Sequence, residues 1–272
     1  MRNWKFKVAA FVLVSMLGAC SSPTNGETGG LDCPECDIKT SSASNTSSSM
    51  ETSSGSNSSS GSNTSSSSVT LSVFWIETSE FSVSQTEITQ ADYEALMGTL
   101  PTQMAKAKGD SFPVSNVSWY DAVLFANAFS KHLGLDTAYS YTSVKAGNKI
   151  VGLRTDLEAN AVRLPTKAEW QVAARAGSLD TYYWGTAKAS DYAQYNNLTD
   201  AYQLVGQKLP NAWGLYDVSG NVAEWTNDTA LCGGNWTSVA KEIALDAYEK
   251  HLPDYASTTT GIRVILISKN EP

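Results

Sequence analysis

Apolar and polar positions divide the chain into three regimes. Arg2, Lys5 and Lys7 precede an apolar run from Val8 to Leu17. That run is well short of the about 20 residues a bilayer-crossing helix needs, and behind basic residues it has the pattern of an export signal. From Thr40 to Ser68 nearly every residue is Ser, Thr, Asn or Gly. Such a tract has no apolar surface to offset chain entropy, so it is expected to be a disordered tether with a reach of roughly 30 Å. Beyond Val69 the pattern becomes that of a folded domain. Ala122, Val123, Phe125, Ala126 and Phe129 recur at helical spacing, with Ser and Asp at the start and Gly134 as the stop. A second helix is predicted after Thr166, where Glu169 three residues on forms a capping box and Gly177 closes the segment. Short β-type runs surround them: SVFWIE, FSVSQTEI, VRL, LCGGNW and GIRVILIS. Strands and helices do not alternate in doubly wound order, so the expected class is α+β with two helices and much irregular backbone. Seven of the eight tryptophans lie beyond Val69, spread evenly, as suits a loop-rich core that needs bulky rings to fill it.

Charge narrows the partners. The chain carries a formal net charge of −8, and loss of the leader with its three basic residues makes it more acidic. That balance argues against nucleic acid and against electrostatic docking on anionic lipid. Leu17-Gly18-Ala19-Cys20 resembles the bacterial lipobox. This implies a signal peptide over 1–19, acylation of Cys20, a tether over 20–68 and a domain over 69–272. Several acyl chains give stable anchoring, and Ser21 after the lipidated residue points to the outer membrane. The pair Cys33-Pro-Glu-Cys36 has no second CxxC to complete a zinc site and no βαβ context for redox work. A local disulfide is expected there.

Further motifs carry a resemblance. FSVSQTEITQADYEALMG, FPVSNVSWYDAVLFANAFSKHLGL, RLPTKAEWQVAARAG, YYWG, PNAWGLYDVSGNVAEW, GGNW and GIRV stand in the order of the formylglycine-generating, or sulfatase-modifying-factor, domain. The resemblance runs from Val69 to Ile267 and implies a variant of the C-type lectin fold, with two helices on small twisted antiparallel sheets. In that family the GN-x-x-EW corner commonly folds around calcium. Matched here, Asn221 and Glu224 would offer side-chain oxygens, with Ser219, Gly220 and Val222 supplying carbonyls or ringing the site. The alternative is a purely hydrogen-bonded staple. A second family calcium stretch reads Ala193-Gln194-Tyr195, with Gln where Asn is usual. The resemblance also implies that Trp170 with Glu169 locks its helix to this corner. Arg163 and Arg263 would be scaffold residues, Arg263 pairing with a buried acid such as Asp217. Lys167 stands where the family usually has Glu.

Catalytic members of the family oxidise a sulfatase cysteine, the aerobic ones through two copper-binding cysteines between the GG-x-W and G-x-R motifs. Soft copper(I) needs thiolates, and Thr237 to Thr260 contains none. Cys232, ahead of Gly233, is the domain's one cysteine and is expected to be a buried strand residue. Copper is therefore not expected, and calcium is the one candidate cofactor. The chain has two histidines, His132 and His251, too few for an iron-binding branch, and no GxSxG elbow. No catalytic set is expected. The segment from Thr237 to Thr260 reads as a short helix bearing Ile243, Leu245 and Tyr248, in the region where lectin-like folds meet ligands. Trp236, Tyr248, His251 and Tyr255 are the candidate contacts. The function expected is an envelope-anchored, non-catalytic scaffold or display module for a protein or glycan ligand. A formylglycine-generating oxidase and a carbohydrate-binding module are the alternatives.

Overall fold

The computed structural model describes residues 70–197 and 200–268; Cys20, Cys33, Cys36 and the Ser-rich tether lie outside them. Both expected helices form where their caps place them. Helix α2 (Trp119–His132) starts on a full capping box between Ser118 and Asp121, and the chain leaves it through Gly134 at φ 73°. Helix α3 (Lys167–Arg175) starts on the Thr166–Glu169 box and ends on Ala176 in the left-handed region. A helix the apolar spacing did not announce, α1 (Gln90–Met97), precedes them, capped by Thr89 and closed by Gly98. It buries polar Gln90 and Asp92 beside Tyr93, so its inner face carries no apolar period.

The strands are short. They are β1 (Trp75–Glu77), β2 (Ser82–Ser84), β3 (Tyr139–Ser140), β4 (Ser143–Val144), β5 (Ile150–Val151), β6 (Arg154–Thr155), β7 (Val162–Arg163), β8 (Ala223–Trp225), β9 (Ala230–Cys232), β10 (Tyr248–Lys250), β11 (Thr260–Gly261) and β12 (Ile265–Leu266). One sheet has the order β1-β2-β12-β7, so the last strand closes against the first ones. The other has the order β10-β9-β8-β11. Its β8/β9 and β9/β10 pairs are antiparallel, as expected, and the short β11 runs parallel to β8. That pair spans two residues and forms because the 251–259 loop brings the chain back in the direction of β8. Strands β3 and β6, and β4 and β5, make two-stranded ribbons between α2 and α3.

Helix α2 packs Val123, Phe125, Ala126 and Phe129 into a cluster with Trp225, Val162, Ile262 and Val264. Helix α3 packs Trp170, Ala173 and Ala174 with Leu215, Val218, Cys232, Leu245 and Ile265. Each large apolar side chain buried this way contributes about 1.5–3 kcal/mol. The 237–260 segment is not the expected helix. It makes one 3₁₀ turn, Ala240–Ile243, and then strand β10. Ile243 and Leu245 are both fully buried; their spacing of two is that of extended chain, and they anchor the segment to the core.

Candidate functional site

The GNVAEW corner enters β8 through a tight turn. Asp217 and Asn221 both sit in the left-handed region, at φ 56° and 57°, which short polar side chains tolerate best among non-glycine residues. Between them Gly220 has φ 86°, and a Cβ there would lie 2.1 Å from the Gln194 carbonyl oxygen, so only glycine lets the two backbones meet. The turn delivers Glu224 into the core opposite Arg263, each about 1% exposed. Arg263 Nε donates to both Glu224 oxygens at 3.0 and 2.9 Å, and Nη2 donates to Oε1 at 2.7 Å. The guanidinium also donates to the carbonyls of Ser84 and Tyr216 at 2.8 and 2.7 Å. Trp170 Nε1 donates to Glu224 Oε2 at 2.6 Å, which ties α3 to β8. Arg263 thus pairs with Glu224 and not with Asp217, which instead accepts from Gly206 N at 2.6 Å. Trp170 alone makes the lock; Glu169 is held by Arg163 and by its own cap.

The residue that sequence reasoning missed is Glu87. Its two oxygens accept from Asn221 Nδ2 at 2.7 Å and from Val222 N at 3.0 Å, while Asn221 Oδ1 accepts from Gln203 N at 2.8 Å. The signal lay in the β-type run FSVSQTEI, where a carboxylate sits next to buried Ile88 without a visible partner. Ser219 Oγ donates to the Ile243 carbonyl at 3.0 Å, joining the corner to the 237–260 segment. Three carboxylates, Glu87, Asp217 and Glu224, are therefore buried around one guanidinium. Burial first, then the charges of Asp217 and Glu224, raise the Glu87 pKa well above its usual value. Burial likewise pushes Asp217 up to about 6, against the opposing pull of the Gly206 amide and Arg263.

A calcium cage at this corner can be tested on its donor set. Both Glu224 oxygens and the Asn221 amide oxygen already accept protein hydrogen bonds, and a guanidinium faces the carboxylate. A dication bound to Glu224 would share that carboxylate with Arg263. Among the described residues no group of three or more His, Cys, Asp and Glu is arranged to hold a metal. As folded, the Glu224 and Asn221 oxygens are committed to a hydrogen-bonded and ion-paired staple, whereas calcium takes six to eight oxygen ligands.

A cavity of about 430 Å³ opens beside the second sheet, between the turn at 234–242 and the 251–259 loop. Tyr248, His251 and Tyr255 line it together with Lys241, Glu242 and Glu249. Tyr248 is 46% exposed and Tyr255 37%. The His251 and Tyr255 rings stack at 4.0 Å, both edge-on to Trp225. The Lys167 ammonium lies 3.8 Å from the Tyr248 ring centroid, a cation–π contact. His251 Nε2 lies 3.2 Å from a Glu249 oxygen. The structure thus brings three of the four candidate contacts together. Trp236 stands apart, buried with Tyr202, Val222 and Ala107. His132 is exposed at the end of α2. Cys232 is fully buried in β9, opposite both Glu224 and Tyr248. Burial, and then the Glu224 charge, push its thiol up to about 12, so it stays protonated at neutral pH.

Three helices on small sheets, much ordered loop and a buried Arg–Glu corner define a domain of the formylglycine-generating type. The chain belongs to the sulfatase-modifying factor enzyme 1-like domain family, whose model matches residues 38–267. A relative from Paenibacillus barcinonensis, named chaperone protein LppX, is 31% identical over 230 residues, covering 70% of this chain and 81% of that protein. A formylglycine-generating enzyme from Thermomonospora curvata is 31% identical over 132 residues, 43% of this chain and 33% of the enzyme. Among solved structures, Treponema denticola variable protein 1 superposes with a TM-score of 0.60 at 27% identity, over 69% of this chain and 84% of that one. CarF superposes with a TM-score of 0.60 at 29% identity, over 70% and 87%.

Proposed function

We propose that this chain is an envelope-anchored, non-catalytic binding module, a sulfatase-modifying-factor scaffold that presents a ligand cavity in the place of a thiolate centre. The carrying observation is the cavity itself. The segment between the GG-x-W and G-x-R motifs has no cysteine and supplies Tyr248, His251 and Tyr255 to a polar recess. The domain's one thiol is buried and held protonated, the opposite of what a soft-metal ligand or nucleophile requires. Lipid anchoring through Cys20, at the outer membrane, follows from the leader's pattern. The likeness to chaperone protein LppX over most of both chains supports a role in holding a partner at the envelope. The two-sided test incubates the protein with copper(I), oxygen and a Cys-x-Pro-x-Arg peptide beside an active family member, read by mass spectrometry. The peptide is expected to stay intact while the control turns over; an aldehyde product would overturn the proposal. Cys20→Ser is expected to move the protein from the membrane fraction to the soluble fraction.

A further inference from the structure

The geometry points to a short saccharide, bound without calcium, as the ligand of the cavity; this rests on the binding-module reading above. The wall that carries Lys241 and Glu242 is fixed at three places. Ser219 Oγ holds the Ile243 carbonyl and Tyr182 OH holds the Ala240 carbonyl, each at 3.0 Å. Gly234 packs so close that a Cβ would come within 2.7 Å of the Glu242 carbonyl oxygen. The aromatic surface is fixed as well. Tyr255 is stacked on His251 with Trp225 edge-on behind both rings. Tyr248 is held by the Lys167 ammonium, which is not part of the lining. Rings oriented before binding lose little freedom on binding. They offer electron-rich faces, against which the C–H face of a sugar ring packs.

The polar lining selects among ligands. Apart from the tyrosine rings, Ala223, Leu231 and Ala247 give the recess its only apolar side chains, too little wall for an acyl chain. Among the remaining side chains donors stand beside acceptors: Lys241 and the Asn235 amide nitrogen beside the carboxylates of Glu242 and Glu249, one Glu242 oxygen being taken by Val239 N and one Glu249 oxygen lying against His251. Among the described residues, neither Lys241 nor Glu242 makes an ion pair. Sugar hydroxyls both donate and accept, and a carboxylate can take two adjacent hydroxyls, so the mixed set matches a polyol. A volume of about 430 Å³ lies within the usual range for small-ligand sites.

The test uses the full chain carrying Cys20→Ser, applied with EDTA to an array of bacterial-surface and host oligosaccharides and to a peptide array, with calorimetry on any hit. Expected is EDTA-resistant oligosaccharide binding that Tyr255→Ala and Tyr248→Ala each weaken by about tenfold, the loss of one stacked ring. Lys167→Met is expected to weaken it less, with melting temperature unchanged, and Phe74→Ala, outside the lining, to leave it intact. Binding abolished by EDTA, or indifferent to both tyrosine variants, would overturn the inference, as would binding to neither array. Peptide binding alone, lost in the tyrosine variants, would overturn the saccharide assignment and leave the binding module standing. Only aldehyde formation in the copper assay would overturn the module itself.

Discussion

Replacing Arg263 by methionine tests the account of the corner most directly. The substitution keeps a long apolar stem but removes the guanidinium that bonds both oxygens of Glu224 and the carbonyls of Ser84 and Tyr216. It leaves Glu224, Glu87 and Asp217 buried with no cation among them. Removing one partner of a buried ion pair costs about 3–5 kcal/mol, chiefly through the charge left behind. Since small domains are stable by only about 5–15 kcal/mol, the variant should fold but unfold at much lower urea. The cost must also depend on pH, and its sign follows from linkage. Glu87 and Asp217 have folded pKa values above their unfolded ones, so their contribution is fully present below the unfolded values. It falls as pH rises through the folded values, because the unfolded chain then binds fewer protons than the native one. Loss of Arg263 removes a charge that holds Glu87 and Asp217 down, so both rise further and the deficit should be larger at pH 7.5 than at pH 5. Urea unfolding followed by tryptophan fluorescence at both values measures it. Adding Glu224→Gln, which keeps an acceptor for Trp170, should recover about 1–3 kcal/mol at pH 7.5. A loss below about 1 kcal/mol, or an equal loss at both pH values, would mean that the guanidinium does not hold these acids in the core.

Three further outcomes follow from the same contacts. Asp217→Asn keeps an acceptor for Gly206 N and suits φ 56°; lacking a group that titrates at about 6, it should gain about 1–2 kcal/mol at pH 7.5 and little below pH 4 in the same unfolding assay. Gly220→Ala places a methyl 2.1 Å from the Gln194 oxygen at a positive φ, so a loss of at least about 2 kcal/mol is expected by thermal unfolding. A melting temperature indifferent to calcium and to chelator is expected from the commitment of Glu224 to Arg263 and Trp170; a rise with calcium would show that the corner rearranges to admit it.

Much of the scaffold was legible in the chain because it rests on local chemistry. The Ser118–Asp121 and Thr166–Glu169 boxes act within one turn of backbone, so Ser and Asp ahead of an apolar period sufficed to place α2, and the three-residue spacing of Thr166 and Glu169 to place α3. The α+β class followed from apolar runs too short and too irregular for alternating strands and helices. Helix α1 escaped because Gln90 and Asp92 face inward, satisfied by carbonyls of Ala107 and Pro113 and by the Thr89 hydroxyl and the Ser72 amide. Residues 237–260 read as a helix because charged residues flank Ile243 and Leu245; close approach at Gly234 and two buried anchors make them a turn and a strand. Pairing was decided by tertiary structure alone. Glu87 meets Asn221 across 134 positions and Arg263 meets Glu224 across 39, and sequence offers both Asp217 and Glu224 to the arginine. The cavity is likewise a product of packing: the sequence placed aromatic residues in one segment, but only the fold stacked Tyr255 on His251, set Lys167 over Tyr248 and drew Trp236 into the core. Spacing along a chain fixes what neighbours do to each other, and charge burial and ring stacking are set by surfaces that only folding brings together.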